Sequence, residues 1–236
     1  MSDSTVVTID GPSGAGKGTV ARLLAQALGY SLLDSGALYR LVALAASERG
    51  VDTSDAAALA KLATELDIRF DGDGEQTRVL LDGADVSKEI RAEAIGMLAS
   101  KIAPYPELRQ SLLQRQRDFA NAAGLVADGR DMGTVVFPGA GKKIFLTASA
   151  EERTRRRVEQ LRLAGEENPD AKKILADILE RDERDRTRTS APLVPAEDAL
   201  QLDTSALSIQ EVLKIVLRFV RESFDDQLAE GVHETS

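Results

Sequence analysis

Thr5-Val6-Val7-Thr8-Ile9-Asp10 runs directly into Gly11-Pro12-Ser13-Gly14-Ala15-Gly16-Lys17-Gly18-Thr19. The first six residues are rich in β-branched side chains and predict a strand. The next nine form a glycine-rich loop. A helical pattern begins near Gly16 and sets Val20, Leu23, Leu24 and Ala27 on one face, with Gly29 as a plausible C-cap. Strand, glycine loop and helix in that order are what a phosphate-binding loop requires. Glycine lets the backbone turn tightly and bring its N–H groups close to phosphate oxygens. The new helix points its positive end at the same place. Lys17 adds a full charge able to follow the β- and γ-phosphates. Residues Gly11 to Thr19 therefore read as the site of a nucleoside triphosphate, ATP or GTP, without saying what is done with the phosphate. The common pattern places Ser or Thr directly after the lysine as a Mg²⁺ ligand. Here Gly18 stands there and Thr19 comes one later, so Mg²⁺ is expected to be held through the ATP phosphates and water.

The 236 residues, 43% of them hydrophobic, are enough for one substantial core with an inserted subdomain. The chain has no cysteine, hence no disulfide framework and no thiolate metal site. Its single histidine, His233, lies in a polar C-terminal stretch, which argues against a histidine metal site or a catalytic triad. No apolar run approaches the ~20 residues of a membrane span, and no basic segment precedes an apolar one at the N-terminus. A cytoplasmic monomer is the expectation. The net charge of −9 argues against nonspecific nucleic-acid binding. It also means that a phosphorylated substrate must be drawn by locally concentrated arginines.

Outward from the loop, short apolar runs alternate with helical patterns. Strands are expected at 31–33, 125–127, 143–146 and 199–202. Helices are expected at 35–49, 54–66, 87–103 with a break near Arg91, 105–122, 150–164, 171–186 and 209–224, with a frayed tail beyond. Between 68 and 86 the rhythm changes. Three short strands at 68–70, 77–81 and 84–86 are separated by turn chemistry at Asp71-Gly72-Asp73-Gly74 and Asp82-Gly83. The alternation implies a parallel sheet with helices on both faces, and such sheets bind ligands at the carboxyl ends of their strands. Those ends read Asp10 to Gly18, Asp34-Ser35-Gly36, Asp128 to Met132, and Thr147-Ala148-Ser149.

Leu33-Asp34-Ser35-Gly36-Ala37-Leu38-Tyr39-Arg40 is expected to put Ser35 at a helix N-cap with Arg40 further along. That segment reads either as an ordinary cap with a solvated arginine or as a second phosphate site. Asp128-Gly129-Arg130-Asp131 offers two carboxylates and a guanidinium at a strand end. Asp128 can hold a water of the Mg²⁺ shell, and Arg130 can bridge phosphates. Along Glu180-Arg181-Asp182-Glu183-Arg184-Asp185-Arg186-Thr187-Arg188, helical spacing groups Arg181, Arg184, Asp185 and Arg188 on one face. This charge run is either solvated or filled by an anion. Arg153, Arg155, Arg156 and Arg157 form another basic run with no assigned role. Taken together, a triphosphate loop, a second anion site and converging arginines point to phosphoryl transfer between two phosphorylated ligands. An acceptor phosphate oxygen is already anionic and needs no general base, so alignment and charge neutralisation suffice.

Several stretches together resemble the bacterial cytidylate kinase family of nucleoside monophosphate kinases. They are Ile9 to Thr19 in the GxxGxGKGT form, Leu33 to Arg40, Ala127 to Pro138, Lys143 to Leu146, Glu180-Arg181-Asp182, Asp185-Arg186 and Ala191-Pro192-Leu193. The likeness covers nearly the whole chain. It implies an α/β fold with a P-loop-type parallel sheet, an inserted antiparallel three-stranded sheet and a lid. The core would be 1–36, 104–150 and 189–225, the monophosphate-binding insert 37–103, the lid with its arginine-bearing helices 151–188, and the tail 226–236. The resemblance implies that Ser35, Arg40 and Arg130 hold the CMP phosphate. It implies that Ser100, Arg109 and Asp131 read the base, that Arg181 and Asp185 lie at the sugar, and that Arg188 sits near phosphate and base. The catalytic set would be Lys17, Arg130, Arg188 and Asp128. Cytosine offers an amino donor at N4, which a carboxylate such as Asp131 accepts, and acceptors at N3 and O2, where Arg109 donates. The implied reaction is ATP plus CMP or dCMP giving ADP plus CDP or dCDP. The alternative is another small P-loop kinase acting on UMP, AMP or a shikimate-type acceptor. A guanine-nucleotide switch would need Asn-Lys-x-Asp, and neither Asn121 nor Asn168 is followed by lysine.

Overall fold

The computed structural model describes residues 5–71, 78–120 and 123–231, with 223–231 as helical backbone only. The β-branched run forms β1 (Val6–Asp10), buried at every position. Beside it lie β2 (Ser31–Asp34), β6 (Leu125–Gly129), β7 (Lys142–Thr147) and β8 (Leu200–Asp203), in the order β2-β6-β1-β7-β8 and all parallel. A parallel sheet needs cover on both faces. Val7, Ile9, Val126, Ile144 and Leu146 face α1 (Lys17–Leu28) and α8 (Ile209–Gly231), where Val20, Leu24, Val212, Val216 and Val220 meet them. Val6, Leu33, Leu125 and Ala127 pack on the other face with α2 (Ser35–Glu48) and α5 (Pro106–Arg117). Each fully buried Leu or Ile on these faces contributes roughly 1.5–3 kcal/mol relative to exposure.

The inserted segment comprises α3 (Ala56–Glu65), β3 (Ile68–Asp71), β4 (Arg78–Leu81), β5 (Ala84–Asp85), a 3₁₀ turn (Glu89–Arg91) and α4 (Glu93–Ile102). β3, β4 and β5 form the antiparallel sheet. Asp82 and Gly83 turn β4 into β5 with φ of 50° and 85°, the left-handed pair of a tight hairpin. The expected Asp71 to Gly74 turn falls on positions 72–74, outside the described residues, as do His233 and the end of the tail. Leu59, Leu62, Val79, Leu81 and Ile102 join the core under α2, so the insert shares its apolar packing with one face of the main sheet.

Three details depart from the sequence expectations. The cap of α2 is Asp34, whose carboxylate accepts from Ala37 N at 3.0 Å. Ser35 is the first helical residue, and its hydroxyl donates to Gln116 Oε1 at 2.7 Å. β6 runs into a π-helical turn, Met132–Val136, where the sequence pattern predicts no regular element. The last helix continues past residue 224 to Gly231. Between β7 and β8 the chain forms the paired helices α6 (Ala150–Leu163) and α7 (Ala171–Thr187), which sit over the sheet's carboxyl edge. The strand register sets Asp10 beside Gly129 and Asp34 beside Asp128, so three strand-end aspartates share that edge.

Candidate active site

The glycine loop is a backbone-lined cup. Gly11 has a φ of 145°, and a Cβ there would lie 2.0 Å from the Leu146 carbonyl oxygen, so a side chain collides with β7. Gly16 sits at φ 89° before α1, and no side chain caps the start of that helix. Its first amides therefore remain available to an anion. Carbonyls around the cup are held by side chains, one from the cup itself and two from outside it. Lys17 Nζ donates to Pro12 O at 2.9 Å, Arg153 Nη1 to Ser13 O at 3.1 Å, and Thr204 Oγ1 to Ala15 O at 3.2 Å.

Lys17 is buried and lies 3.9 Å from Asp128. Burial lowers its pKa, and the nearby Arg130 lowers it further against the opposing pull of Asp128. Burial raises Asp128, against the pull of Lys17. Asp10 was given no role by the sequence. Its carboxylate accepts from Met132 N and Gly133 N, each at 2.8 Å. It thereby ties the strand before the cup to the turn after Asp131. Burial pushes its pKa up to about 7. No group of three or more acidic, histidine or cysteine ligands occurs among the described residues. Asp128 at the lip of the cup, with Gly18 beside it, fits a cation held mainly through phosphate oxygens and water.

Next to the cup, one cavity is lined by Ser35, Arg40, Ser100, Arg109, Arg130, Asp131, Arg181, Asp185 and Arg188, with Gly36, Tyr39 and Gly129 among the remaining walls. Every acceptor-side residue named from the sequence meets in this place. Its charge is unbalanced. Arg130 Nε donates to Asp185 at 3.0 Å, and Arg188 Nη1 lies 3.8 Å from the same carboxylate. Burial would raise Asp185, yet Arg130, Arg181 and Arg188 hold it below the usual range. Burial and then Arg130 pull Arg181 down to about 10. Arg181 Nε and Arg188 Nη2 are buried without a hydrogen-bond partner. Several guanidiniums around one carboxylate make a site that an anion completes.

At the far wall Arg109 and Asp131 form a buried ion pair. Arg109 also donates to Ala103 O at 3.2 Å, and its guanidinium lies 5.8 Å from the Tyr39 ring centroid. Arg40 Nη1 donates to Ile90 O at 2.8 Å. Arg188 follows the last turn of α7 in extended conformation, and its Nε donates to Ala191 O at 2.6 Å. Arg184, grouped by helical spacing with Arg181, Asp185 and Arg188, stands behind the cavity wall and donates to Ser100 Oγ at 2.8 Å.

The unassigned basic run proves structural in part. Arg153 is buried against Asp182, and Arg156 donates to Thr204 O at 2.6 Å. Arg157 pairs with Glu93 of α4, and Arg155 lies exposed against Glu152 and Glu159.

The family described as Cytidylate kinase matches residues 7–222. A cytidylate kinase of Saccharophagus degradans is 60% identical over 214 residues, covering 91% of this chain and 96% of that protein. One from Vibrio cholerae is 58% identical over 220 residues, covering 93% and 97%. The crystal structure of an uncharacterized protein from Eubacterium ventriosum aligns with a TM-score of 0.51 at 12% identity, over 93% of this chain and 99% of that one, a likeness of fold alone.

Proposed function

The chain belongs to the cytidylate kinase family, and we propose that it transfers the γ-phosphoryl group of ATP to CMP or dCMP, giving ADP and CDP or dCDP. The observation that carries this reading is the cavity beside the glycine cup. It is rich in guanidiniums where a phosphate belongs and walled by the Arg109–Asp131 pair where a base belongs.

The cup amides and Lys17 hold the triphosphate of ATP. Ser35, Arg40 and Arg130 take the acceptor phosphate, and Arg181 and Asp185 take its sugar. Arg188 bridges towards both phosphate and base. Lys17 and the cavity arginines neutralise the charge of the transferring group, which is the main requirement of phosphoryl transfer. Bound Mg²⁺, held through phosphate oxygens and water with Asp128 nearby, would supply further neutralisation. The acceptor oxygen attacks without losing a proton.

Base reading follows from hydrogen-bond direction. The Asp131 carboxylate accepts from cytosine N4, and Arg109 donates to N3 and O2, with Ser100 alongside. Uracil would set a carbonyl against the carboxylate, a buried mispairing worth about 1–3 kcal/mol. A cytoplasmic monomer serving pyrimidine nucleotide metabolism completes the proposal. The test is coupled ADP release across CMP, dCMP, UMP, AMP and shikimate. CMP or dCMP should give the highest kcat/KM, and a tenfold advantage for UMP or AMP would overturn the reading.

A further inference from the structure

Arg153 has a geometry that phosphate binding does not require. It is 4% exposed. Its Nε donates to Ala148 O at 3.0 Å, and its Nη1 donates both to Ser13 O at 3.1 Å and to Asp182 Oδ1 at 2.9 Å. Nη2 pairs with the other Asp182 oxygen. Its aliphatic stem lies against Gly14, where an added Cβ would sit 3.2 Å from Arg153 Cβ. Asp182, itself buried, stands on α7 between Arg181 and Asp185, both of which line the acceptor cavity. One guanidinium thus grips the donor cup on one side and the helix carrying the acceptor-site charges on the other. The bidentate fork leaves little freedom for either to move alone.

We infer that Arg153 and Asp182 are positioning residues that couple the two half-sites. Filling the cup would fix Ser13 and Gly14, and with them Arg153, Asp182 and the register of α7. Arg181 and Asp185 would then be set for the acceptor. Asp182 is not among the cavity-lining residues, so its influence on the acceptor must pass through α7. The inference rests on the two-nucleotide reading above.

The test is CMP affinity by calorimetry with and without the non-hydrolysable donor AMP-PNP, on the wild-type chain, Asp182→Asn and Arg153→Lys. The wild type should bind CMP about fivefold more tightly or better once AMP-PNP is present. Each variant should lose most of that gain, and the double variant should lose no more than either alone. A purely structural role would lower Tm and leave the gain intact, which overturns the inference. So would an effect confined to AMP-PNP binding, the mark of a direct phosphate ligand. Hydrogen exchange on the wild type needs no variant. AMP-PNP alone should slow exchange in residues 180–188, and unchanged exchange there overturns the coupling. A chain that binds both ligands independently refutes only the coupling, whereas one that binds no CMP refutes the functional reading itself.

Discussion

The donor cup and the acceptor cavity lie side by side and are built by opposite means. The cup is contiguous, made mostly of main-chain N–H groups, with Lys17 as its own cation. What it cannot tolerate is bulk, because a Cβ on Gly11 meets the backbone of β7. The cavity gathers side chains from α2, α4, α5, β6 and its following turn, and α7. What it cannot tolerate is a change of charge or hydrogen-bond direction. A backbone site recognises a phosphate chain common to all nucleoside triphosphates. A side-chain site can distinguish one base from another.

That contrast predicts where mutations act. Lys17→Ala removes the cup's cation while leaving the acceptor wall intact. Steady-state kinetics should show kcat down by about 10²–10³ with a much smaller change in KM for CMP, in line with losing one preorganised charge at the transferring group. An unchanged kcat would remove Lys17 from the transfer step.

A smaller effect is set by pH. Burial and Arg130 lower the Lys17 pKa in the ligand-free chain, so its charge is lost on the alkaline side well before the ordinary 10.5. Above that point kcat/KM for ATP should fall by up to about tenfold per pH unit. Bound triphosphate favours the charged lysine, so kcat at saturating ATP should hold to higher pH. Coincident alkaline limbs in the two profiles would assign the transition to another group.

The two regions also differ in how far the sequence disclosed them. The cup was legible because its chemistry lies in consecutive glycines between a β-branched run and an amphipathic helix. The sheet and its helices were legible from alternating patterns, and the antiparallel insert from Asp82-Gly83. Strand ends and helical spacing offered Ser35, Arg40, Arg130, Asp131, Arg181, Asp185 and Arg188 singly, whereas resemblance to a family was needed to add Ser100 and Arg109, since no local pattern says that Ser35, Arg109 and Arg188 share a cavity. Least visible were the ties between the halves. Asp10 meets Met132 and Gly133 only because β6 pairs with β1. Arg153 meets Asp182 only once α6 and α7 fold back on each other. In the run from Glu180 to Arg188, adjacent charges point to different partners. Asp182 turns to Arg153, Arg184 to Ser100, and Asp185 to Arg130. Helical spacing groups Arg184 with Arg181, Asp185 and Arg188, but Arg184 is not itself a wall of the cavity and reaches it through Ser100.

The central claim is that the acceptor half reads cytosine through the direction of the hydrogen bond at Asp131. Asp131→Asn changes that direction at nearly constant size, because its amide can donate to the uracil O4 carbonyl. The direct measurement is the ratio of kcat/KM for CMP to that for UMP, in the wild type and in Asp131→Asn, with KM for ATP followed alongside. The account predicts that the ratio falls by roughly five- to thirtyfold, about 1–2 kcal/mol, while KM for ATP stays within twofold. A ratio unmoved by the substitution, or a loss shared equally between CMP and ATP, would contradict it.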